Sequence, residues 1–356
     1  MLLYQKVKFY LRRMIENVKP GQRLPSENEL CRRFKVSRIT VQRAWKDLQD
    51  EVPVFKKQGK GTFVLPSVRK QIKPRTIKVV FPPGYNPEDA FLFPITKSLI
   101  VEFKREHLTF ILTPLTEQKK VWETFSRLTG LFWISPFESH YRIIEEIMLQ
   151  GLPVIVINRV VKNPYINYVS SDHHLGGIMG TRYLLSHRHN RIGFIGLTKD
   201  NACSCQRYEG YCKVLKEAGK KSSPGLVVTA RLNKKSQLVV SLFKNKLNQM
   251  LTRFAPTGLF ITGVSFVPFV IEILRERKLI PGENIELVTF DEIPPEIPYS
   301  DRITKIIQPL EEIGEIAAKK MKQLMEGQNE KIRILLPPIM KESKSGWSGE
   351  RDKTGR

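Results

Sequence analysis

Residues 36–48 read VSRITVQRAWKDL. At 100° per residue, Val41, Ala44, Trp45 and Leu48 fall at i, i+3, i+4 and i+7, which predicts a helix packed on a core through that stripe. The opposite side carries Ile39, Gln42, Arg43 and Lys46, with Arg38 on its flank. Water gives no reason to place an isoleucine among cations and an amide. The DNA major groove does: Arg and Lys pair with guanine, Gln with adenine, and an apolar side chain meets the thymine methyl.

The flanking sequence supports that reading. A first helix is expected over 2–18, ended by Pro20 and Gly21. Ser26 and Glu29 have capping-box spacing, so a second helix should run from Ser26 to about Phe34. Lys35 and Val36 make a short link, and Ser37 can cap the third helix. Two short helices joined by a tight turn give a helix-turn-helix. Downstream, PVFKK (53–57) and TFVL (62–65) read as strands around the glycine-rich turn QGKG (58–61), so the unit is a winged helix.

Charge supports the same conclusion. The chain has 356 residues and a formal net charge of +24. Residues 1–66 hold 15 Lys and Arg against 6 Asp and Glu, and VRKQIKPRTIK (68–78) adds five cations and no acid. A cationic N-terminal end is the footprint of a nucleic-acid binder. Cys31, Cys203, Cys205 and Cys212 form no Cys-x-x-Cys pair, so no zinc site is expected and the thiols fit a reducing compartment. MLLYQKVKFYLRRM at the start has no unbroken apolar run and is not read as a secretion signal. The most apolar stretch, 258–274, is interrupted by Pro268 and Glu272 and reads as a strand and a helix. The expectation is a cytoplasmic protein with no membrane partner.

From Thr76 onward, short apolar runs alternate with amphipathic ones. TIKVVFP, LTFILT, LFWIS, PVIVIN, RIGFIGL, TGLFIT, IELVTFD and RITKIIQ read as strands, and 94–106, 141–150, 174–187, 206–219, 236–252 and 266–278 as helices. The fold class is therefore α/β: parallel sheets covered on both faces, behind an N-terminal winged helix-turn-helix. Ligands of such sheets bind past the carboxyl ends of the strands. That places Pro82–Tyr85, Ser135–Phe137, Asn158, Arg159, Asp172, Asp291 and Gln308 at the candidate site. No catalytic or phosphate-loop motif is present, so neither enzyme activity nor a cofactor is expected. SHRHNR (186–191) reads as a solvated helix end rather than a metal site, and Cys203–Ser204–Cys205 as an exposed loop before a helix.

GQRLPSENEL, VSRITVQRA and QGKGTFV together resemble the DNA-binding domain of the GntR family of bacterial regulators, over residues 4–65. The resemblance implies a dimer on a palindromic operator. Its DNA contacts map onto Asn28, Ser37, Arg38, Thr40 and Gln42, and onto Gly59 and Lys60 at the wing tip; the helix face itself adds Ile39, Arg43 and Lys46. Gln42 stands where the family most often has arginine, which shifts the expected readout from guanine toward adenine. Val52 replaces a turn glycine.

A second resemblance covers about residues 76–345. LPVIVINR, VSSDHHLGG, YLLSHRHNRIGFIG, QRYEGY and LIPGENIELVTFDE are similar to the LacI-type regulatory domain, a two-lobed fold related to periplasmic sugar-binding proteins. It implies a small effector, usually a sugar, held between the lobes. Arg207 and Asp291 would grip hydroxyls from the second lobe. Asn158, Arg159 and Asp172 would sit where the lobes meet, and Tyr85, Ser135 and Phe137 would form the first-lobe wall. The family often has acids or asparagine where Asn158, Gly263 and Val264 stand, so a neutral hexose is not required.

The expected organisation is a DNA-binding domain (1–66), a basic linker (67–75), a two-lobed effector and dimerisation domain (76–342) and a disordered tail (343–356). This is the architecture of arabinose-repressor-like regulators. The expected function is a homodimeric, sugar-responsive regulator, a repressor rather than an activator. The alternative is a cytoplasmic sugar-binding or sugar-modifying protein with non-specific DNA affinity. Effector identity, operator sequence and target genes are not encoded in any motif.

Overall fold

Ser26 and Glu29 fix the entry to the second helix. The Glu29 amide donates to Ser26 Oγ (3.2 Å) and the Ser26 amide to Glu29 Oε2 (2.6 Å), so two otherwise orphaned donors are satisfied reciprocally. In this computed structural model the described residues are 3–17, 23–49, 54–57, 61–64, 75–104, 108–114, 128–149, 151–197, 201–230, 240–328 and 330–344. Helices α1 (Leu3–Asn17), α2 (Glu27–Phe34) and α3 (Arg38–Gln49) precede an antiparallel hairpin of β1 (Val54–Lys57) and β2 (Gly61–Val64). Lys35, in the left-handed region at φ 50°, ends α2, and the Thr40 amide donates to Ser37 Oγ at the start of α3. The stripe anticipated on α3 is the one that is buried: Val41, Ala44, Trp45 and Leu48 join Val7, Leu11, Ile15, Leu24 and Leu30 in one core. Gly59, Lys60, Val52 and the linker up to Pro74 lie outside the described residues, as does the tail from 345 onward.

Two six-stranded sheets follow. The first has the order β13-β7-β6-β5-β3-β4, with β3 (Arg75–Phe81), β4 (Leu108–Pro114), β5 (Leu128–Ile134), β6 (Val154–Ile157), β7 (Asn167–Ser171) and β13 (Arg333–Leu336), all parallel. The second has the order β14-β12-β11-β10-β8-β9, with β8 (Ile192–Leu197), β9 (Val227–Ala230), β10 (Gly258–Ile261), β11 (Glu286–Phe290) and β12 (Thr304–Ile307) parallel. Only β14 (Ile339–Lys341) runs antiparallel there, on β12. Helices α4 (Leu92–Glu102), α5 (Tyr141–Leu149), α6 (His173–Ser186), α7 (Ala202–Glu217), α8 (Val240–Arg253), α9 (Val267–Glu276) and α10 (Leu310–Met325) cover the sheets. β5 and β6 are buried at every residue because both faces are covered. Phe132 and Ile134 pack toward α4 and α10, while Leu131 and Trp133 pack toward α5.

The chain changes lobe three times. After β7 it enters α6, whose Gly176 lies against Phe290 of the second sheet. After β12 it returns through α10, whose Ile313, Ala317 and Met321 complete the first lobe's core. β13 then pairs with β7, and β14 crosses back to β12. β7, β9, β13 and β14 were absent from the sequence reading. They are short, and NYVSS and VVTA carry too few large apolar residues to stand out.

Two local expectations are corrected. SHRHNR does end its helix, with Ser186, Arg188, Asn190 and Arg191 exposed, but its histidines turn inward: His187 is half-buried and His189 is 2% exposed. Its Nε2 lies 2.6 Å from Glu286 Oε2, and His187 Nδ1 lies 2.8 Å from Oε1. Cys203–Ser204–Cys205 is no exposed loop. It forms the first turn of α7, capped by Asn201, with Cys203 and Ser204 buried.

The histidine pair makes acid stability a local property. Burial pushes the Glu286 carboxyl up, but the hydrogen bonds and charge of His189 and His187 outweigh it and hold the group below its ordinary value. A depressed carboxyl stabilises the fold above its unfolded pKa, and the contribution is lost as pH falls through the folded value. Glu286→Gln should therefore lower stability by about 1–3 kcal/mol at neutral pH, with the gap from wild type closing in acid. Thermal unfolding between neutral and acidic pH checks this; a constant gap would refute it.

Candidate functional site

On α3 the face opposite the core is open. Arg38, Ile39, Gln42, Arg43 and Lys46 are exposed, and Ile39 is 77% exposed. Ser37 and Asn28 are exposed beside them, and Thr40 is half-buried with its hydroxyl 2.9 Å from that of Ser37. The Arg43 guanidinium rests over the Tyr4 ring, 4.2 Å from its centroid. One residue missed in the sequence organises this face. Glu27 Oε2, on α2, accepts from Arg38 Nε at 2.9 Å and from Gln42 Nε2 at 3.3 Å. An acid in the first turn of a helix looks like a response to the helix dipole, so its second role was invisible without the α2–α3 contact.

Glu27→Ala should lower the ratio of specific to non-specific DNA affinity by about 3- to 10-fold, because Arg38 and Gln42 lose their common anchor. Non-specific binding should rise, since one negative charge leaves the phosphate-facing side. Titration against matched and scrambled duplexes separates the two; equal tightening on both would contradict the positioning role.

The second site lies where the two lobes meet. Ser135, Asn158 and Asp291 follow β5, β6 and β11 directly, and all three have positive φ (46°, 53° and 82°). Such conformations cost about 1–3 kcal/mol each for non-glycine residues and cluster at ligand sites. Their amides donate to Ile157 O, Val169 O and Ile306 O, so each bend continues the neighbouring strand's ladder.

Arginines from both lobes converge here. Arg159 of the first lobe, 6% exposed, donates from Nη1 to Cys203 Sγ (3.1 Å) at the start of α7. Arg207 of α7, 7% exposed, donates to Thr262 O and, from Nη2, to His173 Nδ1 (3.1 Å); it lies over the Phe290 ring, 3.6 Å from the centroid. Gln308, on the second crossing, donates from Nε2 to Asp291 Oδ1. Burial pushes the Asp291 carboxyl up, while Arg207 and Gln308 act to lower it. Burial, then Arg207 and Arg159, drive His173 well below its ordinary value, so the ring is neutral. Tyr85 at the first-lobe lip has its hydroxyl pushed up by burial and by Asp291.

Among the described residues, five buried polar atoms at this crevice have no hydrogen-bond partner: Arg159 Nε, Ser171 Oγ, His173 Nε2, Arg207 Nε and Gln308 Oε1. Buried polar groups are nearly always satisfied, and each left open costs about 1–3 kcal/mol. A cluster of open ones is the arrangement that a polar ligand would satisfy. Ser135, Asn158, Arg159, Arg207, Asp291 and Gln308 are thus brought to one crevice, with Tyr85 at its edge. Asp172, between Ser171 and His173, accepts the Leu175 amide at Oδ1 as the cap of α6, and Phe137 packs edge-on against His140. Cys203, His173, Ser171, Thr262 and Phe290 were missed. The described residues hold no cluster of three or more His, Cys, Asp or Glu suited to a metal ion, and no helix among them is long and apolar enough to cross a membrane.

Comparison with known proteins agrees with both halves. Residues 3–64 match the profile of the bacterial regulatory proteins of the gntR family, and residues 181–344 match the periplasmic binding protein-like domain. The arabinose metabolism transcriptional repressor of Halalkalibacterium halodurans is 26% identical over 325 residues, covering 85% of this chain and 83% of that protein. Among solved structures, a transcriptional regulator CelR–cellobiose complex superposes with TM-score 0.64 at 20% identity, covering 88% of this chain and 92% of that one. A LacI family regulator from Enterococcus faecium with bound ribose gives 0.62 at 20% identity, covering 76% and 98%. At these identities the structural likenesses establish the fold. The chain joins a GntR-family helix-turn-helix domain to a periplasmic-binding-protein-like domain of the fold found in LacI-family regulators.

Proposed function

We propose that the protein is a cytoplasmic, homodimeric transcriptional repressor of carbohydrate-metabolism genes, and that a carbohydrate bound between its lobes controls its grip on operator DNA. The observation that carries this reading is the pairing, on one chain, of an open base-reading helix face with a crevice of unsatisfied polar atoms. Arg38, Ile39, Thr40, Gln42 and Arg43 read the major groove from α3, Lys46 contacts a backbone phosphate, and Asn28, Ser37 and the wing residues Gly59 and Lys60 aid them. Tyr85, Ser135, Asn158, Arg159, Arg207, Asp291 and Gln308 hold the effector, while Asp172 fixes the start of α6.

Dimerisation is supported by α4, where Phe93, Ile100 and Val101 stand exposed at i, i+7 and i+8. A dimer reads two half-sites at a fixed separation. Effector contacts drawn from both lobes close them on each other, and a small rotation between protomers is then enough to lose one half-site. By linkage, effector and operator must weaken each other by the same factor. No turnover of the sugar is involved.

Asp291→Asn tests the assignment while keeping side-chain size and a residue tolerant of positive φ. Operator affinity should be unchanged, and the sugar concentration needed for release should rise by roughly 10- to 100-fold. Release at wild-type concentrations would remove Asp291 from the effector site.

A further inference from the structure

Two buried guanidiniums meet in the crevice from opposite lobes, held directly by neutral groups. Arg159 and Arg207 are both buried, and neither forms an ion pair among the described residues; their side-chain partners are a thiol, backbone carbonyls and a neutral imidazole. Asp291 is the carboxylate whose charge bears on Arg207, and its Oδ1 is already occupied by Gln308. The Asp172 carboxylate accepts the Leu175 amide at the start of α6. A buried guanidinium whose direct partners are all neutral is unfavourable unless an anion approaches it.

The hydrogen-bonding inventory points the same way. Arginine only donates, so His173 Nδ1 must accept from Arg207, and the proton of the neutral ring sits on Nε2. Among the described residues, His173 Nε2, Arg159 Nε and Arg207 Nε are therefore three buried N–H donors with no acceptor, against one open acceptor, Gln308 Oε1, and the Ser171 hydroxyl. Two helices also begin at the crevice: α6 with His173 and α7 with Cys203, Ser204 and Arg207. Helix N-termini carry partial positive charge. A neutral sugar's hydroxyls can accept from these N–H groups, but each also brings a donor and none compensates charge. A carboxylate or phosphate accepts at every oxygen and matches the planar fork of a guanidinium.

We propose that the effector carries an anionic group, a carboxylate or a phosphate on a sugar-sized body, and that Arg159 and Arg207 hold that group from opposite lobes. The anion then bridges the lobes, and Asp291 and Gln308 are left to the ligand's hydroxyls. This rests on the crevice being the effector seat proposed above, which it refines by ligand class.

The test uses the full-length protein and probes of defined charge. At constant ionic strength set with chloride, inorganic phosphate should raise the thermal unfolding midpoint of the wild type. Much of that rise should vanish in Arg159→Gln and in Arg207→Gln, each checked for a native circular dichroism spectrum; phosphate bound only to the cationic DNA-reading face would protect all three proteins alike and overturn the proposal. Calorimetry on the wild type needs no variant. Glucuronate or glucose 6-phosphate, and arabinonate or arabinose 5-phosphate, should bind at least about 10-fold more tightly than glucose and arabinose, the worth of one charge-assisted hydrogen-bonded pair. The carboxylate and phosphate arms identify which anion is used. Neutral sugars binding as tightly as their anionic partners would overturn the proposal while leaving a sugar-released repressor intact. Phosphate protection that depends on Arg159, with operator binding indifferent to every sugar, would instead uphold the anion site and defeat the reading of the chain as a sugar-released repressor.

Discussion

Gly177→Ala should uncouple the effector site from the rest of the molecule at a cost of about 1–3 kcal/mol in stability. The α6–α7 crossing is lined by glycine on both sides. A Cβ on Gly177 would collide with the carbonyl of Arg207, and one on Gly210 with the carbonyl of His174. Both obstacles are backbone, so no rotamer change relieves the clash and the helices must move apart. Arg207, His173 and Cys203 ride on these two helices. Their hold on Thr262, on the Phe290 ring and on Arg159 depends on the close approach. The variant should melt earlier and need far more effector for DNA release, while its winged helix binds operator as before. Thermal unfolding together with effector titration on bound DNA reads both effects; wild-type behaviour in both would mean the crossing absorbs a methyl group and does not position the site.

Arg38→Ala should weaken operator binding by about 1–3 kcal/mol, the value of one bidentate base contact. Arg38 is exposed on α3, yet its Nε is tethered to Glu27, so the guanidinium fork meets DNA already oriented. Arg38→Lys should not rescue binding, because an ammonium has no fork. Lys46→Ala provides the contrast: it should weaken all sequences about equally and reduce the salt slope by roughly one. Equal losses on operator and scrambled DNA for Arg38→Ala would reassign it to phosphate contact.

The parts of the fold legible in the sequence were those with a local cause. The α3 stripe, the Ser26–Glu29 box and the all-apolar runs of β5 and β6 each follow from residue spacing alone, and each lies where that spacing put it. The start of α7 was misplaced by four residues because CSCQ has no helical stripe; the Asn201 cap, accepting from the Ser204 amide, was the signal available. What stayed hidden depended on partners distant in the chain. His189 is buried because Glu286, 97 residues away, receives it. Cys203 is buried because Arg159 arrives from the other lobe. The three lobe crossings leave no mark on hydropathy, and they decide which residues face the crevice. Strand-end position found Ser135, Asn158, Asp291 and Gln308, but could not separate Asp172, which caps a helix, from residues whose polar atoms remain open.

The most direct test of the account is fluorescence anisotropy of the full-length protein on the DNA upstream of its own gene. It is run at two salt concentrations, with a scrambled duplex as control and with neutral and anionic sugars added in turn. The expected result is sequence-specific binding that persists at the higher salt and is released by one class of sugar. Binding that is tight only at low salt, blind to sequence and unchanged by every sugar would contradict it.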